Sequence, residues 1–440
     1  MKYDAITIGF GQGAHKIARD LAKKKWKVAM IEKNDQMYGG SCVNIGCIPT
    51  KLMDHDAKEG HPYEKVKERR DQVVAHNREN NYNGMQNNEY VDVYTGIGSF
   101  KSNHVVEVET KDGTYELEGT YIFIDTGSVP NMPPIDGLKE ADHVYNSTTL
   151  QELDHLPATL GIIGGGNIGL EFASIYATLG AKVTLLERSD SFMEHEEPEI
   201  AEAVQKVLED KGIRIQLNAE SEQVSNSKEG VEVKTSDGQV YSFEALLVAA
   251  GHKPQTAELN LEATDIEVDE KGGIKVNEQL ETTAEKVYAV GDVRGKLKFT
   301  YITTDDAALV LDHLLGNGTR KLSERKHVPY AIFIDPPVAH VGLTEKEANE
   351  KGYTFLTNIV PVKSTVRSNV INDERGLYKA VVNKENEEIL GVSLFGDQAH
   401  ELVNMMKMAM DNHIPYTYLR DQVITHPVMS EIFNTLFDLS

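Results

Sequence analysis

Residues 1–32 read MKYDAITIGFGQGAHKIARDLAKKKWKVAMIE, and this stretch decides the fold. An apolar run from Tyr3 to Ile8 has the character of a strand, and the glycines of Gly9-Phe10-Gly11-Gln12-Gly13-Ala14 break it. Helical spacing follows from His15 to Lys24, and a second strand from Lys27 to Glu32 closes a βαβ unit. In such a unit the first glycine makes the tight turn and the second, Gly11, lets backbone approach a pyrophosphate. Ala14 fills the position where helix packs on strand. Glu32 is placed to hold a ribose hydroxyl, with Lys33 beside it as a further nucleotide contact.

The same order returns in the middle of the chain. A strand at Thr159–Ile163 runs into Gly164-Gly165-Gly166-Asn167-Ile168-Gly169, a helix over Ile168–Leu179, and a strand from Lys182 to Glu187. Gly164, Gly166 and Gly169 occupy the three glycine positions, and Glu187 is the matching acid. A carboxylate there favours NADH, because it repels the 2'-phosphate of NADPH, while the adjacent Arg188 works against that preference. Two such units predict an α/β chain with two Rossmann-like dinucleotide-binding folds. Each is followed by an apolar strand ending at glycine: Ile122 to Thr126 and Gly127 after the first, Leu246 to Gly251 after the second. Pro130, Pro133, Pro134 and Gly137 punctuate the connection, and Asn146-Ser147-Thr148 reads as a boundary. Beyond Val328 the glycine turns stop. Strand-like runs (331–334, 377–382, 389–394) alternate there with helices (345–350, 400–411), which predicts a separate α/β domain. The expected divisions are therefore 1–147, 148–255, 256–327 and 328–440.

Composition narrows the partners. The chain has 440 residues, 40% hydrophobic and 26% charged, and no segment apolar enough to cross a bilayer. A formal net charge of -24 without a basic block argues against nucleic acid and anionic membranes. The opening residues carry no basic, apolar and small-residue leader pattern, so a cytoplasmic location is expected. Two cysteines are present, both in one loop, which is no stapling framework.

Those cysteines lie in Gly39-Gly40-Ser41-Cys42-Val43-Asn44-Ile45-Gly46-Cys47-Ile48-Pro49-Thr50-Lys51. The reading puts both at the start of a helix, whose positive end lowers thiol pKa and eases cycling between dithiol and disulfide. A metal site needs more ligands, and no third cysteine supplies one, so no metal ligand is assigned. Redox activity, metal binding and incidental burial are the readings available at this point.

The segment resembles the redox-disulfide motif of class I pyridine nucleotide-disulfide oxidoreductases, and the likeness runs through the whole chain. Gly291-Asp292 resembles the family's late FAD motif, His426-Pro427 with Glu431 its C-terminal acid–base dyad, and Val341–Glu345 a segment of its interface domain. The resemblance implies FAD binding by 1–147 and 256–327, NAD(P)H binding by 148–255 and dimerisation through 328–440. It further implies a homodimer in which the dyad reaches the other subunit's Cys42. Electrons would pass from NADH (or NADPH) through FAD to a Cys42–Cys47 disulfide, with Cys47 against the flavin and Cys42 as outward nucleophile. Lys51 would pair with Glu171 near the flavin, and Gly40, Ser41 and Thr300 would line the cofactor.

Lys51–Ala57 and Phe299–Asp306 are similar to a bacterial subgroup that protects against reactive chlorine species and hypothiocyanous acid, in which Tyr301 stands where glutathione reductases carry proline. A small-molecule oxidant is therefore expected as substrate. The alternatives are a dihydrolipoamide dehydrogenase, a low-molecular-weight disulfide reductase, or a redox-sensing flavoprotein that does not turn over. Asn167 and His252 depart from the family pattern, at a flavin-covering tyrosine and at a nucleotide-contacting arginine.

Overall fold

The apolar run at the start of the chain becomes strand β1 (Lys2–Ile8), whose last four residues are buried. Parallel neighbours on both sides, β2 (Val28–Glu32) and a later strand, explain why the run is continuously apolar instead of alternating. The computed structural model describes residues 1–439. It divides into two compact units, one of Met1–Met53, Glu64–Met132 and Ala250–Arg325, the other of Asp54–Tyr63, Pro133–Ala249 and the chain from Lys326 onward.

In the first unit α1 (Gln12–Ala22) buries Ala14, Ile17, Ala18, Leu21 and Ala22, one face of a 3.6-residue period. That face shares a core with Ala307, Val310 and Leu311 of the helix Thr300–Leu315. Full burial of each Leu or Ile there contributes about 1.5–3 kcal/mol. The helix begins at Gln12, three residues before the expected His15, because its first amides are needed: the Ala14 N–H donates to buried Asp125 at 2.8 Å.

Two long strands change pairing direction along their length within one six-stranded sheet. β3 (Val91–Ser102) runs parallel to β2 over Val91–Thr95, then pairs antiparallel with β4 (Val105–Thr110) from Gly96. β5 (Gly113–Ile124) pairs with β4 over Gly113–Glu118 and with β1 beyond. Gly96 permits the switch, since a Cβ there would lie 2.3 Å from the Glu109 carbonyl oxygen. Two further helices carry the cysteine segment, α2 (Gly40–Asn44) and α3 (Cys47–Lys58), followed by α4 (Tyr63–Gln86).

The second unit repeats the plan. Strands Arg214–Gln216, Lys182–Leu186, Thr159–Ile163, Ala245–Val248 and Val144–Tyr145 form a parallel sheet in that spatial order, and Ser221–Ser227, Gly230–Thr235 and Val240–Phe243 form an antiparallel meander. At Met132–Pro133 the chain re-enters this unit after Asp54–Tyr63, and Asn146 sits inside it as a cap, its Oδ1 accepting the Thr148 and Thr149 amides. A five-stranded antiparallel sheet follows, Tyr330–Ile332, Val338–Gly342, Ile389–Phe395, Leu377–Asn383 and Phe355–Pro361 in spatial order, sharing a core with the helices Ala399–Asp411 and Ile432–Leu436. No helix among the described residues is long and apolar enough to cross a membrane.

Within this unit Lys379 is 2% exposed and its ammonium meets Glu197 at 2.9 Å, Glu199 at 2.9 Å and Glu345 at 2.8 Å. Glu197, equally buried, also accepts the Glu345 amide at 2.6 Å. Lys379→Ala leaves Glu197 buried without its counter-charge and is expected to cost about 3–5 kcal/mol. Urea unfolding beside the exposed-site control Lys206→Ala checks this, and matched midpoints for the two variants would refute it.

Candidate active site

The two cysteines do not share a helix as expected. Cys42 lies inside the single-turn α2 and Cys47 opens α3, because Pro49 lacks an amide and fits only the first turn of a helix. The Ile45 and Gly46 amides both return to the Ser41 carbonyl, at 2.9 and 2.7 Å, and this fold-back brings the thiols together. Cys42 is half-buried and Cys47 exposed. The Thr300 hydroxyl, first in the helix Thr300–Leu315, stands 3.3 Å from the Cys47 sulfur and also hydrogen-bonds Cys42. The thiol pair thus meets the positive ends of two helices.

The expectation of a lowered thiol pKa fails at Cys42. Its hydrogen bond with Cys47, then burial, push the Cys42 thiol well up, against smaller opposing pulls from Thr300 and the Lys51 ammonium. Two adjacent thiols cannot both ionise easily, so the pair titrates as a unit and Cys42 keeps its proton longest. Lys51 lies one turn into α3, its ammonium 3.4 Å from the Thr50 hydroxyl. Glu171 belongs to the second unit and accepts the Phe333 amide at 3.0 Å.

The glycine turns have matched geometry. Gly9 and Gly164 both adopt φ of 105°, and Gly11 and Gly166 are the N-caps of the helices that follow. Glu32 accepts the Phe10 amide at 3.2 Å and the Asn34 amide at 3.1 Å; Glu187 accepts the Gly165 amide at 2.6 Å and the Ser189 amide at 2.9 Å. Each acid therefore ties strand end to glycine turn. Lys33 instead pairs with Glu258 at 2.6 Å, and Arg188 is exposed. Thr126 donates to the Gln255 carbonyl at 2.7 Å, Gly127 and Gly251 have φ of 71° and 89°, and the Gly251 carbonyl accepts the Asn131 amide.

At the late motif Asp292 accepts the Ser128 hydroxyl at 2.7 Å, and burial raises its pKa. The Gly291 amide donates to Asp306 at 2.8 Å, and Asp306, fully buried, also binds Arg294 and Arg325 at 2.6 Å each. In the second unit His426 Nδ1 lies 2.8 Å from Glu431 Oε1, while Glu431 Oε2 accepts the Val428 amide at 2.9 Å. The His426 hydrogen bond, then that amide, hold the Glu431 carboxyl below its ordinary range.

A pyridine nucleotide-disulphide oxidoreductase model matches residues 3–307, and the dimerisation domain of the same enzymes matches residues 328–437. The chain belongs to this family. It is 44% identical over 438 residues to the probable pyridine nucleotide-disulfide oxidoreductase RclA of Escherichia coli (strain K12), covering 100% of this chain and 99% of that one. Mercuric reductase of Staphylococcus aureus is 30% identical over 450 residues, with 98% of this chain and 81% of that protein covered. The solved structure of the HOCl-induced flavoprotein disulfide reductase RclA from Escherichia coli superposes with a TM-score of 0.96 at 43% identity, covering 99% of this chain and 100% of that one. A Cu(II) complex of that protein superposes with a TM-score of 0.98.

Family membership makes the chain a flavoprotein oxidoreductase of the disulfide reductase type, using FAD and a pyridine nucleotide, with a dimerisation domain suited to a homodimer. The residues present fit the two nucleotides. A Cβ on Gly40 would lie 2.8 Å from the Gly11 Cα, and one on Gly169 would lie 2.0 Å from the Gly164 carbonyl oxygen, so both turns keep their backbone bare for a pyrophosphate.

Sequence reasoning missed Asp125, Ser128, Arg294, Asp306 and Arg325. Acids flanked by apolar residues, as in Phe123-Ile124-Asp125 and Asp306-Ala307-Ala308, were the available signal, since a charge in such a place needs partners. Burial lifts the Glu32 carboxyl to about 7 against amide hydrogen bonds from Asn34 and Phe10 that pull down. The folded pKa thus exceeds the ordinary 4.5, so this contribution to stability is complete below 4.5 and lost as pH rises through about 7. Glu32→Gln should flatten the pH dependence of flavin-free protein over that window by on the order of 3 kcal/mol. Urea midpoints at a series of pH values test it, and parallel curves for the two proteins would reject it.

Proposed function

We propose that this chain is an NADH-dependent reductase that carries electrons through FAD to the Cys42–Cys47 pair and on to a small oxidant, with hypothiocyanous acid as the leading substrate. The observation that carries the reading is the pairing of Cys42, Cys47 and the Thr300 hydroxyl at two helix ends, in a chain with two cysteines in all. Residues 1–147 and 256–327 are assigned to FAD, 148–255 to the nicotinamide nucleotide and 328–440 to dimerisation. The first compact unit, assembled from both ends of the first 325 residues, supports that split. A reducing cytoplasm, where the pair is kept cycling by NADH, suits it.

On the FAD side Gly9, Gly11, Ala14, Gly40, Ser41, Thr126, Gly127, Gly291 and Thr300 would contact the cofactor, Glu32 its ribose and Asp292 its ribityl chain, with Lys51 and Glu171 as the charged pair beside the ring. When bound, FAD would supply the two-electron link between the nicotinamide and the Cys42–Cys47 disulfide. Cys42 then attacks the sulfur of hypothiocyanous acid, and hydroxide leaves as water with a proton from His426 of the other subunit. Cys47 displaces thiocyanate from the Cys42 adduct and restores the disulfide, so NADH and HOSCN yield NAD⁺, thiocyanate and water. Cys42 holds its proton tightly in the dithiol, which is why an imidazole oriented by Glu431 is needed to take it.

RclA is described as HOCl-induced, which supports an oxidant of the reactive-chlorine class for this chain. Efficiency with hypothiocyanous acid is expected to exceed that with glutathione disulfide or lipoamide by about a hundredfold, roughly 3 kcal/mol of transition-state preference. Cys42→Ala should abolish the activity and His426→Ala lower it less, because water can partly replace a proton donor for so small a leaving group. Steady-state NADH oxidation against each oxidant decides: efficient lipoamide turnover without hypothiocyanous acid reduction points to a dehydrogenase, and no turnover at all to a sensor.

Glu187, fixed by two amides, is expected to give NADH about a tenfold advantage over NADPH. Glu187→Gln should shrink the kcat/KM ratio of the two nucleotides. Equal wild-type efficiency with both would mean that Arg188 governs the choice.

A further inference from the structure

Beside the thiol pair lies an aromatic pair that the relay does not use. Phe299 is the N-cap of the helix that presents Thr300, and Tyr301 is its second residue. Their rings stack nearly parallel, with centroids 5.1 Å apart and planes 9° from each other. Tyr301 remains 45% exposed, unusual for so large a ring next to a site. Thr300, which lies between the two rings in sequence, stands 3.3 Å from the Cys47 sulfur. The Cys47 charge also reaches the phenol, adding to the effect of burial in making Tyr301 harder to ionise.

Stacking matters because a lone exposed tyrosine would swing through its rotamers, whereas a ring held against Phe299 keeps one place. A fixed ring beside a thiol removes volume on that side. A triatomic or tetra-atomic oxidant needs only a line of approach to sulfur, while each half of a peptide-sized disulfide needs room for several further atoms.

We infer that the Phe299–Tyr301 stack is a steric selector at the thiol pair, which admits small electrophiles and turns away bulky disulfides. This rests on the reading of Cys42 and Cys47 as the thiols that meet the oxidant. It adds a reason for small-oxidant preference that lies in shape and not in chemistry, and the chemistry of attack is left as described.

The test compares thiol access by reagent size in FAD-loaded enzyme reduced with NADH under anaerobic conditions. Alkylation rates with iodoacetamide and with N-(1-pyrenyl)maleimide are measured by mass spectrometry, alongside kcat/KM for glutathione disulfide. Tyr301→Ala should raise the pyrenylmaleimide-to-iodoacetamide ratio, and the efficiency with glutathione disulfide, by about tenfold or more. Tyr301→Phe should keep the wild-type ratio, because it preserves the shape and removes the hydroxyl. Phe299→Ala, which releases the ring without deleting it, should move the ratio the same way by a smaller factor and serves if Tyr301→Ala does not fold. An unchanged ratio in both alanine variants, or a Tyr301→Phe ratio equal to that of Tyr301→Ala, overturns the inference. The ratio does not depend on the physiological oxidant, so a wild-type enzyme inactive toward hypothiocyanous acid would defeat the proposed substrate while this result stood on its own.

Discussion

Much of the first unit hangs on one buried carboxylate. Asp306 receives the Gly291 amide and the guanidinium groups of Arg294 and Arg325, so one side chain fixes the turn that carries Asp292 and the register of the helix that begins at Thr300. Ionic groups without solvent are expensive, and such clusters persist where they specify an arrangement more than where they add stability. Here the arrangement is the position of a threonine hydroxyl against two sulfurs. Asp125 does the same for the other helix of the core, holding the Ala14 amide at 2.8 Å under the glycine turn.

The thiols then divide their labour through electrostatics. The hydrogen bond shared with Cys47 and burial hold the proton on Cys42, against a smaller opposing pull from Thr300, whose hydroxyl also lies 3.3 Å from the Cys47 sulfur. In the proposed relay Cys42 is therefore the thiol whose proton a base has to remove. The His426–Glu431 pair has the hydrogen bond that such a base requires.

Most of this was legible in the residues. Glycine spacing followed by an acid at a strand end gave both nucleotide folds, because bare backbone and a fixed carboxylate leave few substitutes. The helices 345–350 and 400–411 and the strands 377–382 and 389–394 fall within a residue of their observed bounds, the first marked by the Thr344–Glu347 capping box and the others by their apolar residues. Three things were not legible. The long polar helix α4 has little periodicity, and its buried apolar residues, Tyr63, Val66, Val74 and Met85, are too widely spaced to read as one face. The break between Cys42 and Cys47 depends on backbone returning to Ser41, a choice that local sequence leaves open. Asp306 needed Arg325, nineteen positions away, to make sense of it.

The strands that change pairing direction also say where this protein can be edited. β3 and β5 each continue from parallel pairing into the antiparallel β3–β4–β5 segment without a joint, so that segment is not an appendage that could be trimmed away. Of its two hairpin tips, one is moored: Asn103 exchanges hydrogen bonds with Asp265 at 2.7 and 2.9 Å. The other, Lys111-Asp112, is exposed and bonded within its own turn. Insertions, tags or a circular break in the chain therefore have one natural harbour in this segment, on a loop whose alteration leaves both nucleotide turns and the thiols untouched.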